Sequence, residues 1–196
     1  MKNQYKRPPN IGMVIFLYQY SRLIDNATYK IQADKSLEKV MKNINEYTGN
    51  DFNNNIWGIG WGIEYLIQNG YVEGDADVIL EDIDNIALSQ INENTLPNVG
   101  LNAGIIGIGR YLLARITSEK TSEQSRNHLR LKEYLIYLID WLESRLSEST
   151  GCIDEIIEFS TDLLQIRFYP YKVRKIIDYC LKTNEGINYV SNLKFH

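Results

Sequence analysis

The 196 residues suffice for one domain with a substantial core, and 44% hydrophobic against 23% charged residues is ordinary for a soluble globular chain. A net charge of −4 with no long basic run gives no general attraction for nucleic acid or for an anionic membrane, so neither partner is expected. Two cysteines, Cys152 and Cys180, are too few for a disulfide framework and point to a reducing, cytoplasmic setting.

The chain opens with the basic stretch Met1 to Pro9, followed by the apolar run Ile11 to Tyr18. That order imitates a signal peptide. The run passes directly into Gln19-Tyr20-Ser21-Arg22 without a small-residue cleavage site, and it is too short to be a membrane span. It predicts instead a helix to about Ile24, apolar nearly all round and therefore buried, broken by Asp25-Asn26. Ala27 to Tyr47 predicts an amphipathic helix with Ile31, Leu37, Val40, Met41, Ile44 and Tyr47 on its dry stripe. Thr48-Gly49-Asn50 and Asn53-Asn54-Asn55 predict a loop.

A second buried helix starts within Ile56 to Ile63, runs through Glu64-Tyr65-Leu66-Ile67 and stops at Asn69-Gly70. Asp75 or Asp77 caps the next helix, whose predicted stripe is Val78, Ile79, Ile83, Ile86 and Ile91, and Pro97 marks the following loop. Leu101 to Gly109 predicts a third glycine-rich helix start. It leads into Arg110-Tyr111-Leu112-Leu113 and then a long helix to about Ser147, with Leu131, Tyr134, Leu135, Leu138, Trp141 and Leu142 on one face. Two shorter helices, roughly Ile153 to Ile166 and Tyr171 to Leu181, are split by Tyr169-Pro170. No segment alternates convincingly as a strand.

Gly12, Gly58 and Gly104 are spaced by 46 residues, and each opens a buried helix followed by an amphipathic one. The same offset superimposes Tyr65-Leu66 on Tyr111-Leu112. A period of this size predicts stacked helical hairpins, with a degenerate fourth copy over 151–182 and a C-terminal tail over 183–196.

Gly58 to Gly70, with Val72-Glu73-Gly74-Asp75-Ala76-Asp77 after it, resembles the lanthionine synthetase C-like proteins of bacterial peptide-maturation clusters. Gly12 to Arg22 resembles an earlier hairpin of that family and Gly104 to Gly109 a later one. The resemblance implies an all-α fold in which residues 1–196 form a single partial α/α toroid of helical hairpin repeats. It also implies a role in ribosomal (lanthipeptide) maturation. Active members of the family hold zinc on two cysteines and one histidine, the second cysteine directly preceding the histidine, in the later half of a longer chain. Zinc there lowers a substrate thiol's pKa for addition to a dehydrated serine or threonine.

The family's ligands do not carry over. Cys152 precedes Ile153, Cys180 precedes Leu181, and the two histidines are His128 in a charged helix and His196 at the last position. The preferred reading is ordinary helix cysteines and a surface histidine, so no metal ligand and no cofactor is assigned. The glycine strings could bind an anion at exposed helix N-termini. Close packing between hairpins is preferred, because three repeats share them and one ligand would need them once. Asp75, Asp77, Glu81, Asp82 and Asp84 lack the glycine and glutamate of a calcium loop and read as a helix cap with a solvated acidic face.

Trp57, Trp61 and Glu64 fall along one helical face and could hold a peptide segment, although core packing of the tryptophans competes with that reading. Glu64 and Arg110 occupy near-equivalent repeat positions and are expected to face each other across adjacent helices. Trp57, Trp61, Glu64 and Arg110 are therefore the candidate binding residues. Three functions follow: a non-catalytic accessory that binds a precursor peptide or a peptide-modifying enzyme; a zinc-dependent thioether cyclase, with unusual ligands or completed by a partner chain or missing segment; and a self-associating scaffold with no peptide-modifying role. A partial toroid leaves apolar flanks, which predicts a homodimer or a hetero-partner.

Overall fold

A computed structural model describes residues 10–44, 52–93, 96, 98–102, 104–118 and 126–182. These residues form α1 (Ile11–Ile24), α2 (Ala27–Lys42), α3 (Ile56–Gln68), α4 (Ala76–Ile79), α5 (Glu81–Asn92), α6 (Ile105–Ile116), α7 (Arg126–Ser144), α8 (Ile153–Gln165) and α9 (Pro170–Lys182), with no strand among them. The fold is all-α. Among the described residues no helix is long and apolar enough to cross a membrane. The basic start, Tyr47 to Asn50, Pro97, the tail 183–196 and its His196 lie outside the described residues.

Short polar side chains set the helix starts. Asn10, Asn26, Asn55 and Asp75 each accept a hydrogen bond from a backbone N–H two or three residues on, satisfying a donor the first turn leaves unpaired. Asp25 ends α1 in the left-handed conformation at φ 51°, which Asp and Asn tolerate better than other side chains. Gly70 follows α3 at φ 64°. The asparagine run is a short 3₁₀ turn, Phe52–Asn54, delivering Asn55 as the cap of α3.

The first helices of the hairpins, α1, α3, α6 and α8, pack side by side in that order. Their second helices form another layer in which α7 lies between α5 and α9, while α2 packs chiefly on α1. One hydrophobic core runs between the layers. The predicted stripe of α7 holds, with Leu131, Leu135, Leu138 and Leu142 fully buried. Two other stripes need correction. On α2, Ile31 is exposed and the wholly buried positions are Ala33 and Val40. After Asp75 the helix breaks at Leu80 into α4 and α5, which re-phases the buried face. Leu80, Ile83, Ala87, Leu88 and Ile91 turn inward, whereas Val78, Ile79 and Ile86 are exposed. The α1 end of the stack also exposes Met13, Phe16 and Leu23.

Stacking corrects the register of the repeat. The four first helices begin at Ile11, Ile56, Ile105 and Ile153, at intervals of 45, 49 and 48 residues. Gly58 corresponds to Gly107 rather than Gly104: a Cβ on either would strike the carbonyl oxygen of the residue six positions earlier, at 1.6 Å (Phe52) and 2.2 Å (Leu101). Gly60 likewise corresponds to Gly109. A Cβ on Gly60 would meet the Tyr111 ring on α6 at 2.5 Å, and one on Gly109 the Phe159 ring on α8 at 2.5 Å. These glycines admit a neighbouring helix's aromatic ring, in keeping with the packing reading. Gly104 precedes α6 as its N-cap, so a match of glycine to glycine slips by three residues.

Candidate functional site

The corrected register generates the site. Counting from the first residue of each helix, Trp61 on α3 and Arg110 on α6 hold one position, Tyr65, Ala114 and Asp162 a second, and Gln68, Thr117 and Gln165 a third. With Leu113 and Ile166 these residues line one open cleft of ≈ 390 Å³ across α3, α6 and α8. The spacing of five, nine and twelve residues keeps each set on one helical stripe. On α1 the two first positions are Phe16 and Tyr20, stacked at 5.7 Å, as Trp61 stacks on Tyr65 at 5.6 Å.

Most polar groups of the lining are held. The Tyr65 hydroxyl accepts from Gln19 at 2.8 Å, and Gln68 donates to Glu64 and to the Ala114 carbonyl. The Thr117 hydroxyl donates to carbonyls of its own helix, and Arg110 pairs with Glu158 at 2.8 Å. Asp162 differs. Its carboxylate makes no hydrogen bond or ion pair among the described residues, and partial burial raises its pKa, with Arg110 opposing and Glu158 adding to that shift.

The four sequence-predicted residues do not share one patch. Trp57 is 3% exposed, beside the Tyr111 ring of α6, while Trp61, one turn on, reaches the cleft. Their angular spacing on α3 is as expected, but α6 seals the first turn and leaves the second open. Glu64 does not face Arg110. It is fully buried and accepts from Arg115 at 2.8 Å, while Arg110 turns to α8. Trp61 and Arg110 thus line the cleft; Trp57 and Glu64 lie beneath it.

Arg115 escaped the sequence reading and organises the interior. Its guanidinium, 0% exposed, donates to Glu64, to Asp77 at 2.7 Å and to both oxygens of Asp84 at 3.2 and 3.0 Å. The Tyr111 hydroxyl donates to Asp84 at 2.6 Å, and Asn127 donates to Asp77 and Asp84. Burial pulls the Arg115 pKa down, but the Asp84 carboxylate and the other acidic groups more than restore it, and the net shift is upward. Burial likewise raises the Asp77 pKa, yet hydrogen bonds from Asn127 and Arg115 leave it below its usual value.

The solvated acidic face expected of these residues is therefore half wrong. Asp84 is 1% exposed and Asp77 is partly buried, while Glu81 and Asp82 remain exposed. His128, expected on the surface, is 1% exposed in the first part of α7. A signal was present: Glu64 is the single charge in the buried helix α3, and α6 is apolar apart from Arg110 and Arg115, so charges there call for partners.

The zinc set implied by the family resemblance does not fit. Among the described residues no three Cys, His, Asp or Glu side chains are grouped to hold a metal ion. Burial pushes the Cys180 thiol up to about 11 and raises that of Cys152, so neither is an activated thiolate in the metal-free chain. Compared with family models, curated proteins and solved structures, the chain matches none.

Proposed function

We propose that the protein is a peptide-binding accessory of the lanthionine synthetase C-like kind, acting in ribosomal peptide maturation without performing the cyclisation itself. The observation that carries this reading is the cleft built from the same positions of three successive hairpins. A stack of repeats offers an extended ligand repeated footholds. Here they are an aromatic pair on α3, the aliphatic side chains of Leu113, Ala114 and Ile166, and polar side chains. The scattering of Cys, His, Asp and Glu side chains among the described residues supports the accessory role over zinc chemistry.

The test is selection of a displayed random dodecapeptide library on the full chain, followed by titration of the enriched peptides. Enrichment is expected, with Trp61→Ala weakening binding about tenfold, the loss typical of an aromatic anchor. Failure to enrich any peptide, or peptides that bind Trp61→Ala as well as wild type, would remove the reading.

A further inference from the structure

One charged side chain of the cleft, Asp162, forms no ion pair among the described residues. The cleft lining includes Trp61 and Tyr65 from α3 and the aliphatic Leu113, Ala114 and Ile166, and its other polar side chains are mostly committed to bonds within the protein. Arg110 brings a positive charge to the lining, and its Nη2 pairs with Glu158 at 2.8 Å, while its buried Nε finds no hydrogen-bond partner among the described residues. Asp162 remains, an acceptor without an intramolecular partner among the described residues, partly withdrawn from water. A carboxylate in that state costs free energy that an incoming cation would recover. Aromatic faces beside it favour the same charge, since a cation is attracted to the electron-rich ring face. Long basic side chains further supply an apolar stem for the aliphatic part of the lining, Leu113, Ala114 and Ile166.

We propose that the cleft selects a lysine or arginine side chain of the bound peptide, its cationic head at Asp162 and its stem along Trp61 and Tyr65. The inference rests on the peptide-binding reading and adds the class of residue recognised. Protonating Asp162 removes the attraction. Because its folded carboxyl pKa is raised, the preference is present at neutral pH and fades as pH falls through that raised value. The charged groups that act on Asp162 are Arg110 from α6 and Glu158 from α8, while α3 presents the uncharged Trp61, Tyr65 and Gln68.

The experiment titrates the full chain with three pools of N-acetylated, C-amidated tripeptides, random at the outer positions and carrying lysine, norleucine or glutamate in the middle. Binding is read from the chemical shift of the Trp61 indole N–H. The lysine pool is expected to bind about tenfold tighter than the norleucine pool at neutral pH, the margin of a charge-assisted contact. Asp162→Asn should erase that margin and Asp162→Glu should restore it, a pattern that a folding defect, weakening all pools together, would not produce. Equal binding of lysine and norleucine by wild type overturns the cation inference and leaves peptide binding standing. Tightest binding of glutamate overturns it in favour of Arg110. If no pool binds, both readings fall.

Discussion

At the scale of single residues, the same charge type is worth very different amounts depending on what surrounds it. Arg115 is sealed in with Glu64 and Asp84 and reaches a partly exposed Asp77, whereas Arg110 sits at a cleft edge against a largely exposed Glu158. Arg115→Met should cost about 3–5 kcal/mol, because it strands carboxylates that cannot reach water. Arg110→Met should cost under about 1 kcal/mol, since solvent already screens its pair. Urea denaturation of both full-length variants checks the contrast, and comparable midpoints would refute the assignment. Wild-type stability should also have an acid limb from Asp77. Its folded pKa is depressed, so its contribution is present above the unfolded value near ~3.9 and is lost as pH falls through the folded one. Arg115→Met should lose part of that limb.

At the scale of helices, glycine spacing decides how closely hairpins approach. Gly109→Ala would place a methyl 2.5 Å from the Phe159 ring and 3.0 Å from Leu138, so α6, α7 or α8 must shift. The expected loss is about 1–3 kcal/mol. In Gly12→Ala the nearest atom is the Asn53 side-chain oxygen at 3.3 Å, where a small movement suffices and helix propensity gains up to about 1 kcal/mol. Thermal melts should rank Gly109→Ala far below Gly12→Ala, and the reverse order would show the stacking register to be wrong. The helices themselves were legible: apolar periodicity located the four first helices and the stripe on α7. The fine register was not, because sequence matching aligned Gly104 with Gly58 by residue type. Tyr65 and Tyr111, paired by the same match, differ completely: one lines a cleft, while the other is buried and donates to Asp84.

At the scale of the whole molecule, a stack of hairpins is held mainly by neighbour-to-neighbour contacts, so stability is graded along it. α3 and α6 have first-layer neighbours on both sides, whereas α2 packs chiefly on α1 at one end. Amide exchange on the full chain should therefore be fastest in α2 among the described helices and slowest in α3 and α6; uniform protection would indicate closure that holds α2 equally. The amino-acid sequence by itself determined that this chain makes helices, where most of them start and stop, and that they come in pairs, because caps, glycine stops and apolar period act over a few neighbouring residues. Only the tertiary structure decided that Glu64, Asp77 and Asp84 converge on Arg115, that Trp61 opens to solvent while Trp57 does not, and that Asp162 is left without an intramolecular partner among the described residues. Those outcomes depend on which turn of one helix meets which turn of the next, and a three-residue slip in stacking, invisible to local pattern, changes every such pairing.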